Sequence, residues 1–286
     1  IIGENGAGKS TLMSILYGFY EADSGEIRVA GQPTAIGSSQ DAIDAGIGMV
    51  HQHFMLIDPF SVLENVMLGA ECGALLGPGR RRIRQTLRQL ERDYGLEVDV
   101  DARVDSLPVG LQQRVEILKA LYRGARVLIL DEPTGVLTPQ ETEQLFGIFR
   151  SLRAEGVTIL LITHKLQEIM AITDNVTVMR AGAVVAERPT AGTSREELAE
   201  LMVGRKVLLR VEKTPASPGE PRLSVEHLTV RDRHGVARVD DVSFAVRGGE
   251  ILGIAGVSGN GQSELLETLA GIRAPDAGLI RIDGTE

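Results

Sequence analysis

Two hydrophobic patterns alternate along the chain and predict a mixed fold. Short, continuously apolar runs at 127–130 and 157–162 are typical of parallel strands that are buried on both faces. Between them, residues 139–154 carry a helical pattern, preceded by Thr138 and with Glu141 at the third position, the spacing of a helix-capping box. Strands that alternate with helices are typical of α/β domains. The pattern therefore predicts the α/β fold class.

The other segments separate into an all-helical part and a part rich in strands. Helical patterns run from 62–68 through 81–94 to a helix that opens near Pro108, which indicates an inserted helical subdomain at about 61–125. Further elements are predicted as strands at 26–30 and 47–51, a hairpin or a pair of edge strands at 175–179 and 184–186, and a helix at 195–203.

A glycine-rich loop with the pattern of a phosphate-binding site lies near the start of the chain. Glycines allow a turn whose backbone N–H groups converge on an anion, and the following helix presents its positive N-terminal end to the same anion. Lys9 would reach the β- and γ-phosphates of a nucleotide, and the Ser10 hydroxyl would bind Mg²⁺. The candidate nucleotide-binding residues are Gly3, Glu4, Asn5, Gly6, Ala7, Gly8, Lys9, Ser10 and Thr11.

A second copy of this loop indicates an internal duplication. Residues 256–263 repeat its glycines and serine at a constant offset of 253 residues, and the register continues without a gap to Gly31 and Gly284. A repeat of this length corresponds to a whole domain. Strand-like runs at 223–230 and 250–255 precede the second loop, whereas only Ile1 and Ile2 precede the first.

The unequal flanks of the two loops predict a fragment that is cut at both ends. We expect a first nucleotide-binding domain at 1–208 that lacks its N-terminal strands, and a proline-rich linker at 209–222. The N-terminal part of a second domain would follow at 223–286. Gln262 stands where the first loop has Lys9, so the second domain is expected to be degenerate.

Polar side chains follow three of the predicted strands. Asp131 and Glu132 follow the run 127–130, His164 follows 157–162, and Gln52 follows 47–51. The carboxyl ends of parallel strands are where α/β sheets bind ligands. Acidic turn residues are also common at ordinary strand ends, and a lone histidine there is more often structural. With a phosphate loop upstream, we interpret the two carboxylates as functional and His164 as a candidate γ-phosphate sensor.

Composition and charge narrow the classes of function. The 286 residues are 43% hydrophobic, include one cysteine and carry a formal net charge of −9. The negative charge argues against a nucleic-acid groove. The single cysteine, Cys72, excludes an internal disulfide framework and suits a reducing cytoplasm. No apolar run approaches the roughly 18 residues of a membrane span.

Six motifs occur in the order found in the ATP-binding subunits of ABC transporters. They are the Walker A loop at 3–11, the Q-loop glutamine Gln52, the signature region at 107–114, the Walker B strand at 127–131 with Glu132, the D-loop at 135–138 and the switch histidine His164. The chain most closely resembles the tandem type that serves simple-sugar and purine-nucleoside importers. The resemblance implies a P-loop NTPase: a RecA-like parallel sheet core with an antiparallel edge and an inserted helical subdomain, followed by the start of a second copy.

The resemblance also implies a role for each residue in a transport-coupled ATPase that binds ATP and Mg²⁺. Ser10, Gln52 and Asp131 would hold the metal. Glu132 would polarise the attacking water, while Lys9, Gln52 and His164 would complete the catalytic set.

The implied partners are membrane permease subunits, together with a solute-binding protein that acts indirectly. The chain would be peripheral on the cytoplasmic face of the cell membrane and would not bind nucleic acid. Its ATP-binding domains would pair internally or as a homodimer. The solute, a nucleoside or a simple sugar, would be selected by the permease and the binding protein.

Three features depart from the family pattern. Pro108 replaces the signature serine, which removes a hydroxyl donor to the γ-phosphate, and Leu111 replaces the signature glutamine. Gln262 replaces the lysine of the second loop. The family's adenine-stacking aromatic residue lies upstream of Walker A, so adenine stacking in the first domain is expected to be absent or supplied otherwise.

Two other functions stay open. A soluble ABC protein that acts on ribosomes or DNA would be expected to carry long coiled-coil or strongly basic insertions, and this sequence has neither. A nucleotide-binding fragment without turnover is compatible with Pro108.

Overall fold

The computed structural model describes residues 1–70, 76–206, 216–257 and 259–285. The chain divides into two compact units, Ile1–Leu209 and Arg210–Glu286. Several sequence predictions lie outside the described residues: Cys72, Ser258 of the second loop, Glu286, and residues 207–215, which hold the end of the predicted first domain and part of the linker.

The first unit alternates strands and helices, as the hydrophobic pattern predicts. Its described strands are β1 (Arg28–Val29), β2 (Gln32–Pro33), β3 (Ile47–Val50), β4 (Val127–Asp131), β5 (Thr158–Ile162), β6 (Asn175–Arg180) and β7 (Ala183–Pro189). Its described α-helices are α1 (Lys9–Leu16), α2 (Ser39–Asp44), α3 (Val62–Met67), α4 (Leu76–Tyr94), α5 (Val109–Tyr122), α6 (Pro139–Ala154), α7 (Leu166–Ile172) and α8 (Arg195–Val203).

A parallel sheet in the order β3-β4-β5 forms the centre of this unit. All three strands run the same way, so their carboxyl ends, followed by Gln52, Glu132 and His164, meet at one edge. Beside β5, Ile2 pairs in parallel with Val178 of the antiparallel hairpin β6–β7. The segment that leads into the first loop therefore enters next to the same edge.

The helices α3, α4 and α5, which lie within the predicted helical subdomain, pack against one another. One buried cluster joins them to the central sheet and includes Leu63, Leu87, Leu118 and Leu128. The helix expected at 81–94 begins earlier, at Leu76. Pro78 is tolerated there because the first turn of a helix has no intrahelical partner for its N–H groups.

Helix caps follow the sequence closely. The predicted capping box is present: Thr138 accepts from the Glu141 N–H, and the Glu141 carboxylate accepts from the Thr138 N–H. Ser61 and Glu64 form a second capping box at the start of α3. The Ser61 cap marks where the chain enters the helical subdomain, and the Thr138 cap marks where α6 begins after β4.

The second unit contains the antiparallel sheet β10-β8-β9 and one described helix. Its elements are β8 (Pro221–Arg231), β9 (Ala237–Arg247), α9 (Gln262–Leu269) and β10 (Ala277–Ile282). The strand predicted at 250–255 is wrong, because no strand pairs with this segment in the described part of the unit and Ile251 is 95% exposed. In the first unit the equivalent residues, Ile1 and Ile2, bond to β5 and β6.

Among the helices within the described ranges, none combines the length and the apolar character needed to cross a bilayer.

Candidate functional site

The first loop folds as a phosphate cradle that ends at α1. Gly6 and Gly8 have φ angles of 80° and 94°, a region that glycine adopts without strain, and Gly8 caps α1. A Cβ on Gly3 would lie 2.4 Å from the carbonyl oxygen of Met179, so this position has no room for a side chain. The fold thus explains all three glycines of the loop.

Lys9 turns its ammonium group back into the loop. The side chain is only 7% exposed, and Nζ donates to the carbonyl oxygens of Gly3 at 2.8 Å and Glu4 at 3.0 Å. Both of these acceptors are neutral carbonyl oxygens. The ammonium group therefore lies inside the turn of the loop, where the converging backbone N–H groups of such loops meet an anion.

Ser10 and Asp131 lie together where the loop meets the end of β4. Burial raises the pKa of the Asp131 carboxyl above its usual range, the Ser10 hydroxyl acts against this by hydrogen bonding, and Glu132 adds to it. A half-buried carboxylate beside a hydroxyl presents the hard oxygen ligands that Mg²⁺ prefers.

The described residues contain no group of three or more His, Cys, Asp or Glu side chains placed to hold a metal. Two oxygen ligands alone would leave most of an octahedral Mg²⁺ shell to water or other oxygen atoms, which Mg²⁺ commonly keeps.

Glu132 and His164 form a hydrogen-bonded pair at the same edge. Nδ1 of His164 lies 2.9 Å from Oε1 of Glu132. Glu132 has a φ angle of 47°, an uncommon conformation for a residue with a side chain, and its N–H donates to the carbonyl oxygen of Ile162 at 2.9 Å. The structure thus brings together a carboxylate and an imidazole that the sequence placed on two different loops.

Gln52 lies two residues past the end of β3 and is exposed. Its neighbour His51 is held by a stack against Phe19, with ring centroids 5.4 Å apart. Burial lowers the pKa of the His51 imidazole, and the negative charges of Glu116 and Asp131 act in the opposite direction. Asp131 ends β4 and His51 follows β3, so the two residues lie at the same edge of the parallel sheet.

The signature helix α5 begins directly after Pro108, which occupies the N-cap position and makes no side-chain capping bond. The sequence predicted a helix that opens near Pro108, and α5 begins there. Proline has no hydroxyl, so the side chain at this position offers no hydrogen-bond donor.

Gln113 links α5 to the loop that follows β4, a contact that sequence reasoning missed. Its side chain is 1% exposed, and Nε2 donates to the carbonyl oxygen of Pro133 at 2.7 Å. Its Oε1 atom is buried and has no hydrogen-bond partner among the described residues. A glutamine at a position where α5 otherwise buries Ile117 and Leu121 is the signal that could have indicated it.

The second loop repeats the geometry of the first with a different side chain. Gly261 has a φ angle of 89° and caps α9, and Gln262 donates from Nε2 to the carbonyl oxygen of Val257 at 3.3 Å. This is the counterpart of the bond from Lys9 to Glu4 at the repeat offset. The Gln262 amide makes a hydrogen bond that corresponds to one made by Lys9, but it carries no charge.

Comparison with curated proteins finds close relatives. The guanosine import ATP-binding protein NupO of Bacillus subtilis is 50% identical over 286 residues, covering 100% of this chain and 56% of the relative. The glucose import ATP-binding protein TsgD13 of Haloferax volcanii is 48% identical over 314 residues, covering 100% of this chain and 57% of the relative. The chain therefore spans about half the length of the curated relatives it matches.

A solved structure confirms the predicted fold class. The dimeric ATP-binding cassette MJ0796, in a post-hydrolysis state bound to ADP and Pi, matches with a TM-score of 0.54 over 67% of this chain and 84% of its own, at 24% identity. The family model described as ABC transporter matches residues 1–135 and 239–286, which is more than half of the sequence. On this evidence the chain belongs to the ABC transporter family.

Proposed function

We propose that the chain binds Mg-ATP at the first loop and hydrolyses it as the energy-coupling part of a membrane importer. The observation that carries the proposal is the convergence at one sheet edge of the buried Lys9 ammonium, the Ser10–Asp131 pair and the Glu132–His164 pair. Phosphoryl transfer needs charge neutralisation and an aligned nucleophile, and these groups supply both.

Each residue has a distinct task in this proposal. Lys9 moves its hydrogen bonds from the Gly3 and Glu4 carbonyl oxygens to the β- and γ-phosphates. Glu132 accepts a proton from the attacking water, and His164 orients the Glu132 carboxylate through the 2.9 Å contact. Gln52, exposed beside the site, closes on the γ-phosphate side.

Mg²⁺ fits this site because Ser10 and Asp131 place two hard oxygens together. Ser10, Asp131 and Gln52 are the residues proposed to hold it, and the ion supplies charge neutralisation to the β- and γ-phosphates when bound.

The second loop is proposed to bind nucleotide weakly. Gln262 lacks the ammonium charge, and a hydrogen bond to a charged group contributes about 1.5–3 kcal/mol. The predicted domains at 1–208 and 223–286 therefore make unequal contributions to ATP binding.

The proposed partners are membrane permease subunits, to which the chain binds peripherally at the cytoplasmic face of the membrane, and a solute-binding protein that acts indirectly. Relatives that import guanosine and glucose support a nucleoside or a simple sugar as the solute class. The net charge of −9 disfavours the alternative of an ABC protein that acts on nucleic acid.

The test is calorimetric titration of the chain with ATP in the presence and absence of Mg²⁺, followed by phosphate release. We expect binding to the first loop that strengthens with Mg²⁺, and release of phosphate. Binding without any phosphate release would favour the nucleotide-binding module without turnover. Absence of binding would contradict the proposal.

A further inference from the structure

A buried carboxylate lies beneath the two loops that carry Glu132 and His164. Glu168, on α7, is 7% exposed. Its Oε1 accepts from Oγ1 of Thr134 at 2.5 Å, and its Oε2 accepts from Oγ1 of Thr163 at 3.0 Å. One side chain therefore bonds to both loops, with one carboxylate oxygen for each.

Lys165 completes the cluster. Its Nζ donates to the carbonyl oxygen of Thr134 at 2.8 Å and lies 3.2 Å from Oε1 of Glu168. Its backbone N–H donates to Oγ1 of Thr163 at 3.0 Å. Burial of a carboxylate is costly unless it is paired and hydrogen-bonded, and here both oxygens of Glu168 are satisfied.

Each of the two threonines lies close in sequence to one member of the Glu132–His164 pair. Thr134 lies two residues after Glu132, and Thr163 directly precedes His164. Both threonines are 1% exposed, so neither loop can exchange its bond to Glu168 for a bond to water without local opening. The 2.9 Å contact between His164 and Glu132 depends on the relative position of these two loops.

We propose that Glu168, with Lys165 as its counter-ion, is a positioning residue that holds His164 in contact with Glu132. Its carboxylate bonds to the two threonine hydroxyls and acts on the Glu132–His164 pair through them. The inference rests on the proposed function for the catalytic meaning of the pair, while the contact itself can be tested without turnover.

The first test measures the contact directly in the 286-residue chain labelled with ¹⁵N-histidine. His164→Ala identifies the His164 signals among the five histidines. Glu132→Ala gives the Nδ1 shift of His164 without its partner. We expect Glu168→Ala to move the His164 Nδ1 signal toward the Glu132→Ala value. Glu168→Gln should move it part of the way, because the amide can still accept one of the two threonine bonds.

Two further variants keep the test decisive if Glu168→Ala fails to fold. Thr163→Val and Thr134→Val each remove one hydroxyl while keeping a β-branched shape, and Thr163→Val should shift the His164 signal. Glu196→Gln is the matched control, because Glu196 is exposed on α8 and should leave the signal in place. An unchanged His164 signal in folded Glu168→Gln and Thr163→Val would overturn the proposal.

The second test measures steady-state ATP hydrolysis. A small displacement of reacting groups can cost on the order of a hundredfold in rate, so Glu168→Ala should lower kcat by about tenfold to a hundredfold with little change in KM. In a His164→Ala background, adding Glu168→Ala should have no further effect on kcat. If the kcat losses caused by Glu168→Ala and by His164→Ala multiplied in the double variant, the positioning role would be overturned. A wild-type chain that hydrolyses no ATP would contradict the proposed function alone, and the histidine signals would still decide the positioning role.

Discussion

The charge of one lysine decides how the first loop binds phosphate. Replacing Lys9 with Ala removes the only side-chain cation of the loop at 3–11. We expect Mg-ATP affinity to fall at least about tenfold, or about 1.4 kcal/mol. Calorimetric titration checks this, with Lys206→Ala as the control, because Lys206 is exposed and lies outside the loop. Equal affinities for Lys9→Ala and the wild type would contradict the assignment of this loop as the main site.

Glu132 is expected to act on the chemical step and not on binding. Glu132→Gln keeps the shape of the side chain but removes the proton acceptor. ATP should still bind, while phosphate release should fall by roughly two orders of magnitude. Glu200→Gln, an exposed change on α8, is the control for loss of one carboxylate. A parallel loss of affinity and rate would instead indicate that Glu132 holds the metal or the fold.

The start of α6 tests how a single cap stabilises an element next to the site. Thr138→Ala removes both the hydroxyl acceptor for the Glu141 N–H and a donor to the Glu141 carboxylate. Loss of such a cap costs about 1 kcal/mol, which urea unfolding of the first unit would detect. Gln140→Ala is the matched control, because Gln140 is exposed and lies two residues after Thr138.

The Thr138–Glu141 capping box also predicts that the free energy of unfolding depends on pH. The Thr138 N–H and then the Thr138 hydroxyl lower the pKa of Glu141 below its ordinary value of 4.5. Because the folded-state pKa is lowered, the stabilisation is present above the ordinary pKa and is lost as pH falls through the folded-state pKa. The difference in unfolding free energy between wild type and Thr138→Ala should therefore shrink on acidification below pH 4.5. A difference that stays constant would contradict the role of the Glu141 carboxylate.

At the scale of elements, the sequence predicted features set by neighbouring residues better than contacts between residues that are distant in the sequence. The boundaries of α6 and α8 agree with the sequence prediction, because each begins after a capping residue and carries a clear helical period. The apolar run at 250–255 has the composition of a strand, yet a strand requires partners, which sequence composition does not reveal. Gln113 and the link made by Glu168 were missed for the same reason, since Pro133 is 20 residues from Gln113 and Thr134 is 34 residues from Glu168.

The position of the candidate site was predicted from the residue types and from the expected parallel sheet. The motif placed Lys9, Asp131, Glu132 and His164 at strand and helix ends, and the parallel sheet brings those ends together. The direct bond between Glu132 and His164 depends on the buried threonine–glutamate cluster, which no linear pattern specifies. Roles in catalysis stay predictions until the variants above are measured.

At the scale of the whole molecule, the remaining question is which domains pair. In ABC proteins of the type that the sequence resembles, each nucleotide lies between the Walker A loop of one domain and the signature of another. The tandem type pairs domains of one polypeptide, whereas pairing of two copies of this chain would bring Lys9 of one copy opposite position 108 of the other. Pro108 offers no hydroxyl at that position.

Pro108→Ser separates the two kinds of pairing. Serine is a favourable N-cap residue, so α5 should stay intact or gain about 1 kcal/mol, which thermal unfolding would show. We expect ATP hydrolysis per chain to stay within about twofold of the wild type and to be independent of protein concentration, because tandem domains do not depend on association of copies. Pro108→Ala controls for removal of the ring without a hydroxyl. If Pro108→Ser alone raised the rate per chain, and the increase grew with protein concentration, sites formed between two copies would account for the hydrolysis and the tandem interpretation would be wrong.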